Sequence, residues 1–141
     1  MPDAAKAHTK AGAKAFVEYF WEVVNYAQAT GDTDAIRDLT VVESCSSCVR
    51  GARAIDKVYD KGGVVRGGTS HLSNFTTQVY SLPGGDQATV EYDIQVGATK
   101  FDYPGSAKDN EDPATSGRNR LRLAAPPSAA WRVVLMEPVS R

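Results

Sequence analysis

Apolar residues recur through residues 10–29 in steps of three and four: Ala13, Phe16, Val17, Phe20, Val24 and Ala27. That spacing lays one stripe along an α-helix, and Trp21 widens it. Thr9 stands where an N-cap hydroxyl belongs, and Gly31 supplies a left-handed stop. Asp32 or Thr33 can cap a second, short helix running through Leu39. A third helix is predicted over residues 47–61, with Val49, Ala52, Ile55, Val58 and Tyr59 inward and Gly62-Gly63 ending it. After Gly63 the pattern changes from helical to alternating. Val64-Val65 opens a strand, residues 70–82 form a longer one, and Pro83-Gly84-Gly85-Asp86 reads as a hairpin turn. In the strand that follows, Val90, Tyr92, Ile94 and Val96 share one face, while Thr89, Glu91, Asp93 and Gln95 share the other. Residues 102–117 are dominated by Pro, Gly, Ser, Asp and Asn and predict a long mobile loop. Two last strands, over 119–124 and 131–136, are joined by Ala125-Pro126-Pro127-Ser128.

Helices first and antiparallel strands afterwards predict an α+β domain, with three N-terminal helices packed on a curved, mostly antiparallel sheet of four to six strands. A long helix across the concave face of such a sheet makes a cone with a hollow inside. Length adds a boundary: 141 residues suit one domain, placed at 9–141, with residues 1–8 as a disordered arm that carries no large apolar side chain after Met1. Apolar residues at 42% and charged residues at 23% are ordinary for a globular chain. A net charge of −1 argues against a nucleic-acid partner, which demands an excess of Lys and Arg. No apolar run approaches the roughly 18 residues of a membrane-spanning helix. Residues 1–15 lack the apolar core of a signal peptide.

Several clusters invite chemistry, and each has a plainer reading. The run from Gly62 to Thr69 is rich in glycine, but a phosphate loop needs Lys where Gly68 stands, so a helix stop and a bend in the first strand are expected. Asp109-Asn110-Glu111-Asp112 lacks the alternating ligands and central glycine of a calcium loop, and reads as a solvated loop tip. Arg118, Arg120 and Arg122, with Arg132 near them, form either an acidic-ligand site or cross-strand pairs with Glu91 and Asp93; the pairing is the expectation. Inside the hollow, Tyr19, Tyr26, His71 and Tyr92 are the ligand-contact candidates, and Asp93 would be a proton acceptor if its face turned inward. No nucleophile elbow, metalloprotease helix or dinucleotide fingerprint is present.

The order of short motifs is also distinctive. The run from Gly12 to Trp21, then Val24 to Asp32, Cys45-Ser46-Ser47-Cys48, Tyr59 to Gly63, Gly67-Gly68 and Trp131 to Val134 together resemble a family of actinobacterial lipoprotein domains of unknown function. The resemblance implies a ketosteroid-isomerase-like cone, the nuclear-transport-factor-two-like (SnoaL-like) fold. It also implies an extracytoplasmic, cell-envelope location, with the membrane reached only through a lipid anchor upstream of this chain. In an oxidising compartment, Cys45 and Cys48, the two cysteines of the chain, most simply close a small disulfide. A redox motif would want a strand before the pair, and a zinc site would want two more ligands where His8 and His71 are the only histidines. The resulting expectation is a non-catalytic envelope domain that binds a small ligand or a protein partner, without cofactor or metal. The alternative is an isomerase- or hydratase-type enzyme using the cone. A homodimer formed through the sheet is a third reading, since the strand 131–136 is apolar on both faces.

Overall fold

The structure, a computed structural model, describes residues 1–105 and 110–140. It is α+β: among the described residues, helices α1 (Lys10–Thr30), α2 (Asp34–Asp38) and α3 (Ser46–Asp60) precede seven strands. These are β1 (Val64–Gly67), β2 (Ser70–Leu82), β3 (Gly85–Val96), β4 (Thr99–Asp102), β5 (Asn110–Asp112), β6 (Thr115–Ala125) and β7 (Arg132–Pro138). Instead of one sheet of four to six strands there are two antiparallel sheets, in the orders β2-β3-β6-β7 and β1-β4-β5.

Helix α1 starts where the Thr9 side chain accepts from the Gly12 N–H at 3.0 Å, and stops at left-handed Gly31. Its buried face carries Ala13, Phe16, Val17, Phe20, Val23 and Ala27. The core takes Val23 rather than Val24, which is half-buried and is left for another wall, described below. That face lies over the four-stranded sheet, whose inward side chains Val90, Tyr92, Leu121 and Val133 are fully buried. Helix α2 is tied to α3 by polar contacts. Thr33 donates to Asp56 at 2.7 Å, Arg37 donates to Asp56 at 2.6 Å, and Arg37 also donates to Thr33. The free edge of β7 is occupied by the segment after α2: Val41 N–H donates to Val133 O and Val133 N–H to Leu39 O, both at 2.8 Å. This explains an apolar strand at the border of a sheet, because backbone on one side and helices above cover it.

Three expectations change. Residues 1–8, expected as a disordered arm, contain a 3-10 turn over Asp3–Lys6 in which Ala5 is fully buried. Trp131 Nε1 donates to Ala7 O at 3.0 Å, and His8 lies 2.8 Å from Asp86 and 2.7 Å from Ala129 O. The turn approaches α1 so closely that a Cβ on Gly12 would sit 1.9 Å from Ala7 O. Alanines dock where large side chains were looked for. Second, the span 102–117 is no continuous loop: β5 pairs with β4, and β6 already begins at Thr115, opposite Val96. Backbone pairing holds these polar strands, so apolar alternation could not announce them; Asp109, in the acidic run, lies outside the described residues. Third, β4 occupies residues that showed no strand pattern.

The outward face of the large sheet resolves the arginine question. Register places Arg118 opposite Asp93 and Arg120 opposite Glu91. Arg118 meets Asp93 at 3.1 Å, and Arg120 meets Glu137 at 3.0 Å and Glu91 at 3.4 Å. Arg122 reaches Glu137 at 3.6 Å, while Arg132 instead donates to Thr40 O at 2.6 Å. Hydrogen bonding to Glu137, helped by the Glu91 charge, holds the Arg120 guanidinium more firmly protonated than usual.

Candidate functional site

Between α1, α3, the small sheet and the end of β7 lies a cavity of about 320 Å³. Its first wall follows from helical geometry. Phe20, Val24 and Gln28 are spaced four apart and stack down one side of α1, with Trp21 beside them. The second wall is α3, where Cys48, Ala52, Ile55 and Val58 are buried and Gly51 and Ala54 are exposed. Small exposed residues on a lining helix mark the mouth. Val65 and Phe101, from β1 and β4, and Met136, from β7, complete the apolar surface. A lining this apolar favours an apolar ligand, because water inside it finds few partners.

The walls are held firmly. Trp21 Nε1 donates to Tyr92 Oη at 2.8 Å, and the two rings meet edge to face at 6.3 Å. Cys45 and Cys48 form the disulfide, with Cα atoms 5.3 Å apart, at the first turn of α3. Both cysteines are buried, which keeps them from the solvent access a redox pair needs. Ser47 Oγ donates to Met136 O at 3.1 Å, and Ser44 Oγ to Val134 O at 2.8 Å, pinning the start of α3 to β7. At the far end of the wall, Tyr59 Oη donates to Gln28 O at 2.6 Å.

None of the five residues expected at the hollow lines this cavity. Tyr19 is half-buried on α1 and packs against the main core, and Tyr26 is 55% exposed. His71 is exposed on β2, opposite Gln95. Tyr92 is fully buried behind Trp21, and burial pushes its phenol well above the ordinary tyrosine range, against the opposing pull of its hydrogen bonds with Trp21 and Asn119. Asp93, one residue along, must face outward, and there it pairs with Arg118 and accepts from Asn74 at 2.7 Å. Among the described lining residues, Asp112 is the one with an ionisable side chain, and it is exposed on β5. No cluster of His, Cys, Asp and Glu suited to a metal occurs among the described residues.

The sequence's candidates were polar and ionisable side chains, whereas this cavity is lined mainly by apolar ones. The usable signal was the stripe Phe20, Val24, Gln28, a polar residue continuing an apolar row, opposite the small residues Gly51, Ala52 and Ala54.

These features define a small α+β domain with an apolar, side-opening cavity stapled by a disulfide at its rim. The chain belongs to the Family of unknown function (DUF6318), whose family model matches residues 1–136. No curated protein matches the sequence. Among solved structures, the intermembrane space region of chloroplast protein ARC6 is similar in fold, with a TM-score of 0.66 at 12% identity, covering 94% of this chain and 98% of that one.

Proposed function

We propose that this protein is a non-catalytic, extracytoplasmic domain that binds a small, largely apolar ligand in the cavity between α1 and α3. The observation that carries the reading is the cavity itself: about 320 Å³ of space bounded by Phe20, Val24, Ile55, Val58 and Phe101. That volume lies at the small end of the usual range for ligand pockets, about 300–1,000 Å³. The buried disulfide supports a location outside the reducing cytoplasm, as does the intermembrane-space origin of the ARC6 region. The cone of the nuclear-transport-factor-two-like fold is the shape we favour, with a lipid tether upstream as its membrane attachment. The isomerase or hydratase alternative has less support, since Tyr92 and Asp93 stand outside the cavity that would hold the substrate.

Titration with N-phenyl-1-naphthylamine, an uncharged dye that brightens in apolar surroundings, tests the reading. Wild type should give saturable binding, and Gly51→Trp or Ala54→Trp at the mouth should weaken it more than tenfold without lowering the melting temperature. Equal binding by folded, mouth-blocked variants would refute it.

A further inference from the structure

Helix α3 carries its charge unevenly. Arg50, Ala54 and Lys57, with Lys61 at the C-cap, follow one another at steps of four, three and four, and so fall in one row along the helix. Ala54 and its neighbour Gly51 are the exposed residues at the cavity mouth, which makes this row the lip of the opening. All three cations are exposed, and none has an ion pair or a side-chain hydrogen bond among the described residues. The carboxylates of α3 do not neutralise them: Asp56 is held by Thr33 and Arg37, and Asp60 falls off the row. Lys57 and Lys61 suit the negative end of the helix dipole, but Arg50 lies far from that end and gains nothing from it. For a chain of net charge −1, this is a local excess of positive charge beside an apolar opening.

From an apolar cavity with a cationic lip we propose that the ligand is a single-chain anionic amphiphile, its chain inside the cavity and its acidic head outside against Arg50 and Lys57. The proposal rests on the ligand-binding reading above and names the chemistry of its ligand. Asp112, on β5, lines the cavity from another side and opposes an anion there, so the head is directed to the α3 lip. The neighbouring charges stand elsewhere: Lys100 and Glu111, opposite each other in register, alternate to the other face from Asp112, and Arg66 is paired with Asp102. A bilayer surface fits less well than a single chain. The apolar residues of α3, Cys48, Ala52, Ile55 and Val58, are already buried in the protein, and the exposed row offers no large apolar side chain to insert. The selectivity is modest because the head stays in water. One exposed charge contact shifts affinity about twofold to fivefold, so two together give roughly fivefold to twentyfold.

Three probes of equal chain length separate this inference from its parent: octanoate, octylammonium and uncharged 1-octanol. Protein-observed NMR titration of the full chain, at neutral pH and low salt, should give octanoate a Kd roughly fivefold to twentyfold below that of octylammonium. Raising the salt should shrink that preference, since exposed charges are screened. The double variant Arg50→Gln, Lys57→Gln should abolish it while 1-octanol binds as before, and Asp112→Asn should enlarge it. Arg53→Gln removes the same charge from the same helix about 60° round from Arg50, and should leave the preference within about twofold. Equal binding of the two ions by wild type, or a preference for octylammonium, would overturn the acidic head and leave the apolar cavity standing if 1-octanol binds. A preference that survives in the double variant, or falls as far in Arg53→Gln, would overturn the role of the lip. Phosphatidylglycerol vesicles should leave the protein in the supernatant on sedimentation; co-sedimentation lost in the double variant would overturn the single-chain ligand in favour of a bilayer. If none of the three probes shifts resonances of residues at the cavity, the inference and the ligand-binding reading fall together.

Discussion

Replacing Tyr92 with phenylalanine removes one hydroxyl and changes little else in shape. The side chain is fully buried, and its oxygen accepts from Trp21 Nε1 at 2.8 Å and is hydrogen-bonded to Asn119. Losing a neutral hydrogen bond costs about 1 kcal/mol, and an indole N–H left dry costs about 1–3 kcal/mol. Trp21 is only half-buried, so its N–H can turn partly towards water, and the low end of that range applies. The expected loss for Tyr92→Phe is therefore about 1–2.5 kcal/mol, or roughly 3–9 °C in Tm for a chain of this size. Urea unfolding followed by far-ultraviolet circular dichroism measures it, with the slope unchanged if the unfolded state is not altered. A double-mutant cycle with Trp21→Phe isolates the pair and should show a coupling of about 1 kcal/mol. Trp21 is also a wall of the cavity, so dye affinity should fall in the same variant. A loss below about 0.5 kcal/mol, with no coupling in the cycle, would refute the claim that this bond fixes the wall.

Other expectations follow from single contacts. Reducing the Cys45–Cys48 disulfide, or replacing both residues with serine, should cost about 2 kcal/mol by loop-closure entropy, read as a lower urea midpoint. Hydrogen bonds from Thr33 and Arg37 hold the Asp56 carboxyl below its ordinary value of 3.8, so its contribution to stability is present above that pH and is lost as pH falls through the lower folded value. The stability gap between wild type and Asp56→Asn should accordingly be constant above pH about 5 and shrink below about 4; a gap that widens in acid would contradict the assignment. Gly51 lies within α3, and a Cβ added there meets nothing within 4 Å, so Gly51→Ala should stabilise by about 0.5–1 kcal/mol on thermal unfolding.

The long elements were legible because periodicity reports burial directly. Helix α1 and strand β3 are amphipathic over many residues, and their caps and turns are ordinary, so pattern and structure agree. The charge pairing of Arg118 and Arg120 was legible for the same reason, since alternation on neighbouring strands sets which faces meet. What escaped detection was held by backbone or by small side chains. β4, β5 and the beginning of β6 are polar strands recruited by pairing, and the 3-10 turn docks through Ala5 and Ala7. The candidate site escaped for a third reason. A cavity exists where side chains stop short of one another, and the gap beside Gly51 and Ala52 depends on how α1 and α3 are set against the small sheet. One residue of register, Val23 for Val24, decides which side chain enters the core and which faces the cavity.

The most direct test of the central claim is a crystal structure of the protein grown with N-phenyl-1-naphthylamine. The account predicts density for the dye between Phe20, Val24, Ile55 and Phe101, entering past Gly51 and Ala54. A cavity closed by those same side chains, with the dye absent or bound on the outer face of the large sheet, would contradict it.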